Sequence, residues 1–283
     1  MFFRREAIVP ALALFGRNRE IIRLVAAAEG LGDCDAWLDP REPAHIGAIR
    51  YENKLYIAGN IYGHDDDGLL REFLRVTVAE RRLDGHALDG IKIRTFDERF
   101  EKAVLQILKG WDTRRAAREY LEVALPARDA GHMLPAGYSF RDIDEALIMA
   151  EGVENIDLLR SECAYRYDCT GHKETDYLGL AAMYGDSVAG WCLSEYMCSA
   201  GCEIGIEVVE GHQRKGLATA MTDEFLKKAH VKGIKKVGWH CYQSNVPSLK
   251  TAIACGFERV VTYQEAYITF PPSHLGSIPP AEP

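Results

Sequence analysis

No apolar run in the chain approaches the ~20 residues that a membrane helix needs, so no helical span is expected. A basic surplus is missing too. The formal net charge is −8, which argues against a nucleic-acid binder, because phosphate contacts need clustered Lys and Arg. Neither nucleic acid nor membrane is therefore expected as a partner, and the acidic balance suits a cationic amine. No two cysteines have C-x-x-C spacing. The eight are Cys34, Cys163, Cys169, Cys192, Cys198, Cys202, Cys241 and Cys255. Cys198 and Cys202 are four apart, but no second pair or His pair has zinc-site spacing. No metal is expected, and the cysteines read as reduced, mostly buried thiols of a cytoplasmic protein. A secretory leader is not expected either. A short apolar stretch runs to Phe15, but Glu6 and Pro10 interrupt it and no small-residue cleavage site follows. There is no repeat, and the first half carries no catalytic constellation.

What is present is an ordinary globular composition, 47% apolar and 27% charged over 283 residues. In the first half, Ile46 to Tyr51 and Leu55 to Ala58 read as a hairpin turning at Glu52-Asn53-Lys54. Asp65 to Asp67 read as helix-start acids for a helix over Leu69 to Val78, rather than as metal ligands. A second helix is expected over Phe96 to Trp111 and a strand over Tyr120 to Leu125. Residues 126–139 contain Pro126, Gly131, Pro135 and Gly137 and mark the best domain junction.

The second half alternates more clearly. Asp142 to Met149 and Ile156 to Cys163 read as short helices. Tyr177 to Tyr184 and Ser187 to Ser194 form a hairpin across Gly185-Asp186. Strands follow at Ile204 to Val209, Lys236 to Cys241 and Val260 to Phe270, with helices from Leu217 to Ala229 and from Ser248 to Ala254. The last of these helices ends at Gly256, a natural C-cap. These segments predict an α/β (α+β) fold: a mixed, mostly antiparallel sheet with flanking helices over 138–270. A smaller α/β domain is expected over 1–130 and a flexible Pro-rich tail over 271–283.

Between the strand ending at Val209 and the helix from Leu217 lies Gln213-Arg214-Lys215-Gly216. Free N–H groups at a helix start, with the dipole behind them, favour an anion. Gly216 lets the backbone approach a phosphate closely. Arg214 and Lys215 could each meet a phosphate or be solvated helix-start charges.

Together these residues resemble the GNAT superfamily of acyl-CoA-dependent N-acetyltransferases. Gln213, Gly216 and Ala218 match its Gln/Arg-x-x-Gly-x-Gly/Ala turn. Asn245, Ser248 and then Gly256-Phe257 match its second signature in order and spacing. The specific match covers about residues 175–260, in the manner of a subgroup with an additional N-terminal half. The resemblance implies acetyl-CoA as acyl donor, no metal, and a small-molecule or peptide amine as acceptor. It implies that backbone groups at Ile206 and Val208 pair with the pantetheine arm. N–H groups from Gln213 through Arg214, Lys215, Gly216 and Leu217 to Ala218 would hold the pyrophosphate, with the Thr219 hydroxyl nearby. Asn245 and Ser248 would lie near the thioester. The first half, 1–130, is expected to be a degenerate GNAT-like domain or to shape the acceptor pocket or a homodimer contact.

The chemistry needs a neutral amine, a carbonyl held beside it and a stabilised oxyanion. Glu203, ten residues before Gln213, stands where many family members place a proton-accepting carboxylate; a strand-edge charge is the other reading. One departure is clear. Many members carry a Tyr seven residues after the Asn to protonate the thiolate, and here that residue is Ala252. The thiolate then leaves without a side-chain acid, or Ser248 or Tyr242 assists, or activity is lost. Two alternatives to an acetyltransferase of small amines follow: a non-catalytic acyl-CoA-binding regulator, and a toxin acetylating an aminoacyl-tRNA, against which the acidic balance counts. Trp239 and Cys241 share one strand face and read as core, with His240 on the other.

Overall fold

The structure is a computed structural model that describes residues 4–269, apart from 33, 52, 80–81, 84–85, 88–89, 110–111, 128–129 and 171–177. The expected tail over 271–283 and the indole of Trp111 lie outside the described residues. The elements run β1 (Arg4–Glu6), α1 (Ile8–Ala13), α2 (Ile22–Ala28), β2 (Cys34–Leu38), β3 (Ile46–Tyr51), β4 (Lys54–Gly59), α3 (His64–Ala79), β5 (Arg82–Leu83), β6 (His86–Ala87), β7 (Gly90–Thr95) and α4 (Glu98–Ile107). They continue with β8 (Thr113–Ala124), β9 (Tyr138–Asp142), α5 (Glu145–Ile148), α6 (Ile156–Thr170), β10 (Gly179–Tyr184), β11 (Ser187–Cys198), β12 (Gly201–Val208), α7 (Leu217–Val231), β13 (Lys236–Tyr242), α8 (Val246–Ala254) and β14 (Glu258–Thr269).

The chain divides into two compact units. The first takes residues up to Glu20, Asp33–Arg118 and the chain from Val261; the second takes Ile21–Gly32 and Glu119–Val260. This differs from the expected split at 126–139, which falls inside the second unit. The reason is strand pairing. The last strand completes the first unit by pairing antiparallel with β7, from Gln264↔Thr95 to Thr269↔Gly90. Residues 21–32 in turn supply a helix to the second unit. Contiguity along the chain does not decide which sheet a segment joins.

In the first unit the strand order is β1-β2-β3-β4-β7-β14. β3 and β4 form the expected hairpin, Ile46↔Gly59 to Tyr51↔Lys54. β4 and β7 run parallel, with α3 in the connection between them. Ile46, Ile57, Ile93 and Ile268 bury one face of this sheet against Leu70, Leu74, Phe100 and Val104. The helix α3 starts at His64, earlier than the expected Leu69, so Asp65 to Asp67 fall in its first turn. There Asp66 accepts the Tyr62 N–H (2.6 Å) and pairs with Arg41 (2.5 Å). On the sheet, Arg94 and Glu265 are both almost fully buried and pair at 2.6 Å.

In the second unit the order is β8-β13-β12-β11-β10-β9. β9 to β12 form an antiparallel run that contains the expected hairpin of β10 and β11 and the expected strand β12, with β9 an addition to the expected strands. β12 and β13 are parallel and α7 links them. One face carries Leu180, Cys202, Ile204, Trp239 and Cys241, packed on Met221, Phe225 and Leu226 of α7 and Ala252 of α8. A second cluster joins Ala181, Trp191 and Leu193 with Leu147, Ile156 and Leu159. Trp239 and Cys241 are core residues, as their shared strand face predicts. Among the described residues no helix is long and apolar enough to cross a membrane.

Candidate active site

The site begins where two parallel strands part. β12 pairs with β13 only from Cys202↔Val237 to Ile204↔Trp239. β12 then runs on to Val208 and β13 to Tyr242. On its other edge β12 stays paired with β11 as far as Gly190↔Val208. The Val209 N–H donates to the Ala189 carbonyl at 3.0 Å. Antiparallel pairs alternate between bonded and non-bonded, so the N–H and C=O groups of Val208 and Ile206 turn away from β11. They face the edge that β13 has left. The Val208 carbonyl there accepts the Gln213 side-chain amide at 3.0 Å. The side chains of Ile206 and Val208 meanwhile pack against the core on the α7 face.

At the carboxyl end of β12 the chain turns through a 3-10 segment, Glu210–His212, and enters α7. Gly216 sits at the N-cap with φ +82°, and no side chain caps the helix. Arg214 also has positive φ, +60°. The first bond inside the helix is from the Ala220 N–H to the Gly216 carbonyl, at 3.1 Å. Helix geometry therefore leaves the N–H groups of Leu217, Ala218 and Thr219 pointing out of the helix start, where the dipole favours an anion. The Leu217 side chain turns into the core, 1% exposed. The Thr219 hydroxyl donates to the Gly216 carbonyl at 2.9 Å. Arg214 and Lys215 are exposed. Lys215 Nζ donates to the Gly211 carbonyl (3.0 Å) and to the Tyr138 hydroxyl (3.3 Å). Tyr138 in turn bonds His212 Nδ1 at 2.8 Å.

Glu203 corrects an expectation. It is 1% exposed, not an edge charge and not open to an incoming amine. Arg23 of α2 holds it: Nε lies 3.1 and 2.9 Å from the two carboxylate oxygens, and the Arg23 backbone N–H donates at 3.1 Å. A further guanidinium nitrogen, NH2, pairs with Oε2, and His240 Nε2 lies 3.3 Å from Oε1. Burial by itself would raise the carboxyl pKa, but the Arg23 charge and hydrogen bonds, with His240 beside them, hold it well below the usual carboxylate range. A carboxylate so held is a poor proton acceptor at neutral pH. Tyr120 stacks on His240 at 4.4 Å between ring centroids. Gly238 makes room for this cluster, because a Cβ there would lie 2.9 Å from the Tyr120 hydroxyl and 3.1 Å from Glu203 Cγ. Arg23 itself escapes motif reading, since 180 residues separate it from its partner. The one trace in the sequence is a lone charge inside the apolar run Ile21-Ile22-Arg23-Leu24-Val25.

The opposite side of the gap ends in Asn245, Ser248 and Ala252. Asn245 caps α8: its side-chain oxygen accepts the Ser248 N–H at 3.2 Å. The Ser248 hydroxyl accepts the Trp239 indole N–H at 3.0 Å. Ser248 is thus tied to the core below it. Replacing it with Ala is expected to strand that indole donor and cost about 1–3 kcal/mol of stability, read by chemical denaturation. Ala252 is fully buried on the inner face of α8, so a tyrosine there has no space without repacking. Tyr242 is 39% exposed at the end of β13. Of the described cysteines, Cys192, Cys202, Cys241 and Cys255 are buried and Cys34, Cys163 and Cys198 half-buried; the side chain of Cys169 lies outside the described residues.

A mixed sheet whose parallel pair opens beside an uncapped helix start sets an unpaired strand edge next to free N–H groups, an arrangement that suits an extended anionic ligand. The family model for GNAT acetyltransferases matches residues 13–267, and the chain belongs to that family. The match reaches far beyond the 175–260 in which the motifs lie. By family it is an acetyltransferase. No curated protein matches the sequence. Among solved structures, a GCN5-related N-acetyltransferase-like protein from Streptococcus suis is similar at 19% identity and TM-score 0.63, over 93% of this chain and 98% of that one. A GCN5-related N-acetyltransferase from Sphaerobacter thermophilus is similar at 14% identity and TM-score 0.62, over 95% and 96%. A tandem GNAT protein from the clavulanic acid biosynthesis pathway is similar at 12% identity and TM-score 0.57, over 95% and 98%. At these identities the likeness is one of fold.

Proposed function

We propose that the protein transfers an acetyl group from acetyl-CoA to a primary amine of a small molecule or peptide by direct attack. One observation carries the reading. The backbone groups of Ile206 and Val208 face an unpaired strand edge, and that same strand runs into the uncapped start of α7. A pantetheine arm fits such an edge as an added strand, and a pyrophosphate fits the helix start. The fit has one qualification: the Val208 carbonyl already accepts from Gln213, so that amide must move or the carbonyl must share. The bound donor would supply an activated thioester carbonyl.

The residues of the chain divide the remaining work. The N–H groups of Leu217, Ala218 and Thr219 bind the diphosphate, and Arg214 and Lys215 add charge at its rim. The Ile206 N–H polarises the carbonyl oxygen where negative charge develops. Glu203 fixes β12 at the fork through Arg23 and takes no proton. The proton of the amine passes to water. With Ala252 buried, the thiolate leaves without a side-chain acid there, which a thiol pKa near ~8.5 allows.

Acetyl-CoA at millimolar concentration is expected to raise the melting temperature. Turnover with a panel of amines is expected to fall by at least ~10-fold when Asn245 is replaced by Ala, since the cap that orders α8 beside the gap is lost. No shift with acetyl-CoA would sink the reading. A shift without turnover on any amine would favour the regulatory alternative, which the burial of Glu203 and Ala252 motivates.

A further inference from the structure

A second constellation lies behind α7, apart from the strand gap. Among the described residues, His132, Asp223 and Cys255 bring one ligand atom each within 4.8 Å of one another. His132 belongs to the Pro/Gly-containing segment between β8 and β9, Asp223 to α7, and Cys255 to the end of α8. His132 and Asp223 are 91 residues apart, so their meeting is tertiary and no ligand spacing announces it. We propose that these three side chains form a binding site for a thiophilic divalent cation of the zinc class.

Four observations carry the proposal. First, the donor set is imidazole, carboxylate and thiol. That set suits zinc and disfavours calcium and magnesium, which take oxygen ligands. Second, the positions are close to those required. His132 Nδ1 lies 2.8 Å from Asp223 Oδ2. Ligand atoms around tetrahedral zinc stand about 3.3–3.7 Å apart, given metal–ligand distances near 2.0–2.3 Å. Adjustments of about an ångström or less bring the three into place. Third, the burial is graded as a metal site needs. Cys255 is 1% exposed, and the Asp223 side chain 5%. His132 at 29% leaves a route to solvent and room for water as a fourth ligand. Fourth, the polar surroundings are already ordered. The His132 backbone N–H donates to Asp223 Oδ2 at 3.1 Å, and the Cys255 thiol points to the Thr219 carbonyl at 3.7 Å. Asp223 is a buried carboxylate hydrogen-bonded to His132, and a cation would compensate its charge directly.

Binding would form Zn–N, Zn–O and Zn–S bonds and release the Cys255 proton to solvent. The ion would then clip the 125–137 segment to α7, one turn beyond the phosphate-binding start, and to the Cys255-Gly256 corner. The proposal does not depend on the acetyl donor.

The test uses the full chain stripped with chelator and titrated with Co2+, a spectroscopic substitute for zinc. The expected result is about one ion per chain and a thiolate-to-cobalt charge-transfer band in the near ultraviolet. Cys255→Ser should remove the band, while Cys34→Ser should keep it. His132→Ala, at a half-exposed position, should weaken zinc binding by at least the ~10–100-fold that even a supporting residue is worth. Far-ultraviolet circular dichroism checks that each variant is folded. A wild-type protein without the band, or a band that survives both Cys255→Ser and His132→Ala, overturns the proposal. So does zinc binding with unchanged affinity in His132→Ala.

Discussion

Replacing Gly216 by glutamate is expected to abolish the rise in melting temperature that acetyl-CoA produces in the parent protein. Two effects act in the same direction. Gly216 has φ +82°, a conformation that L side chains rarely adopt. A carboxylate placed there also stands among the N–H groups that would hold a diphosphate, so two anions compete for one helix start. A ligand at ~100 times its dissociation constant stabilises a protein by about 2.7 kcal/mol, and this whole increment should vanish. The fold should survive, because a Cβ at Gly216 meets nothing within 4 Å. Gly216→Ala separates the two effects. It carries the backbone strain of about 1–2 kcal/mol without the charge, and so should keep part of the shift. A glutamate variant that gains as many degrees as the parent would show that α7 does not hold the phosphates.

Replacing Arg23 by methionine is expected to remove about 3–5 kcal/mol of stability, measured by chemical denaturation at neutral pH. The loss comes from Glu203, which would remain almost fully buried with its main partner gone. The double variant Arg23→Met/Glu203→Leu should recover much of it, since a buried pair replaced by apolar residues is often neutral. The pH dependence has a definite sign. The folded pKa of Glu203 is lowered, so its contribution is fully present above the unfolded value near ~4.3 and is lost as pH falls below it. The parent should therefore lose stability between about pH 4.5 and lower values more steeply than the double variant does. A single variant that loses less than ~1 kcal/mol would mean that the pair adds little to holding β12. If Glu203 were instead the proton acceptor, Glu203→Gln would flatten the pH–rate profile. The ion pair predicts lost stability with the shape of that profile retained.

Much of the second unit was legible because its signals are local. The hairpin over β10 and β11, the turn before α7 and the Gly256 end of α8 each depend on residues within a few positions of one another. The hydrophobic period of α7 placed Met221, Phe225 and Ala229 inward, and they are buried. The first unit was less legible. β1 and β7 depend on partners far along the chain, whereas β3 and β4 share a short turn. The expected junction at 126–139 failed as a boundary because Pro and Gly mark an irregular path, not the limit of a core.

Glu203 shows the limit most plainly. Its distance from Gln213 along the chain places it on β12, and strand alternation gives its face. Neither says what lies over that face. Arg23 covers it from a helix 180 residues away and pairs with its carboxylate. The same holds for His132, Asp223 and Cys255, which no spacing unites. The sequence alone determined the family motifs, the glycine turn before α7 and the order of elements around it, because period, cap and turn chemistry act over a few residues. Tertiary structure decided which segments complete each sheet and which charges are neutralised, because burial and ion pairing depend on neighbours in space.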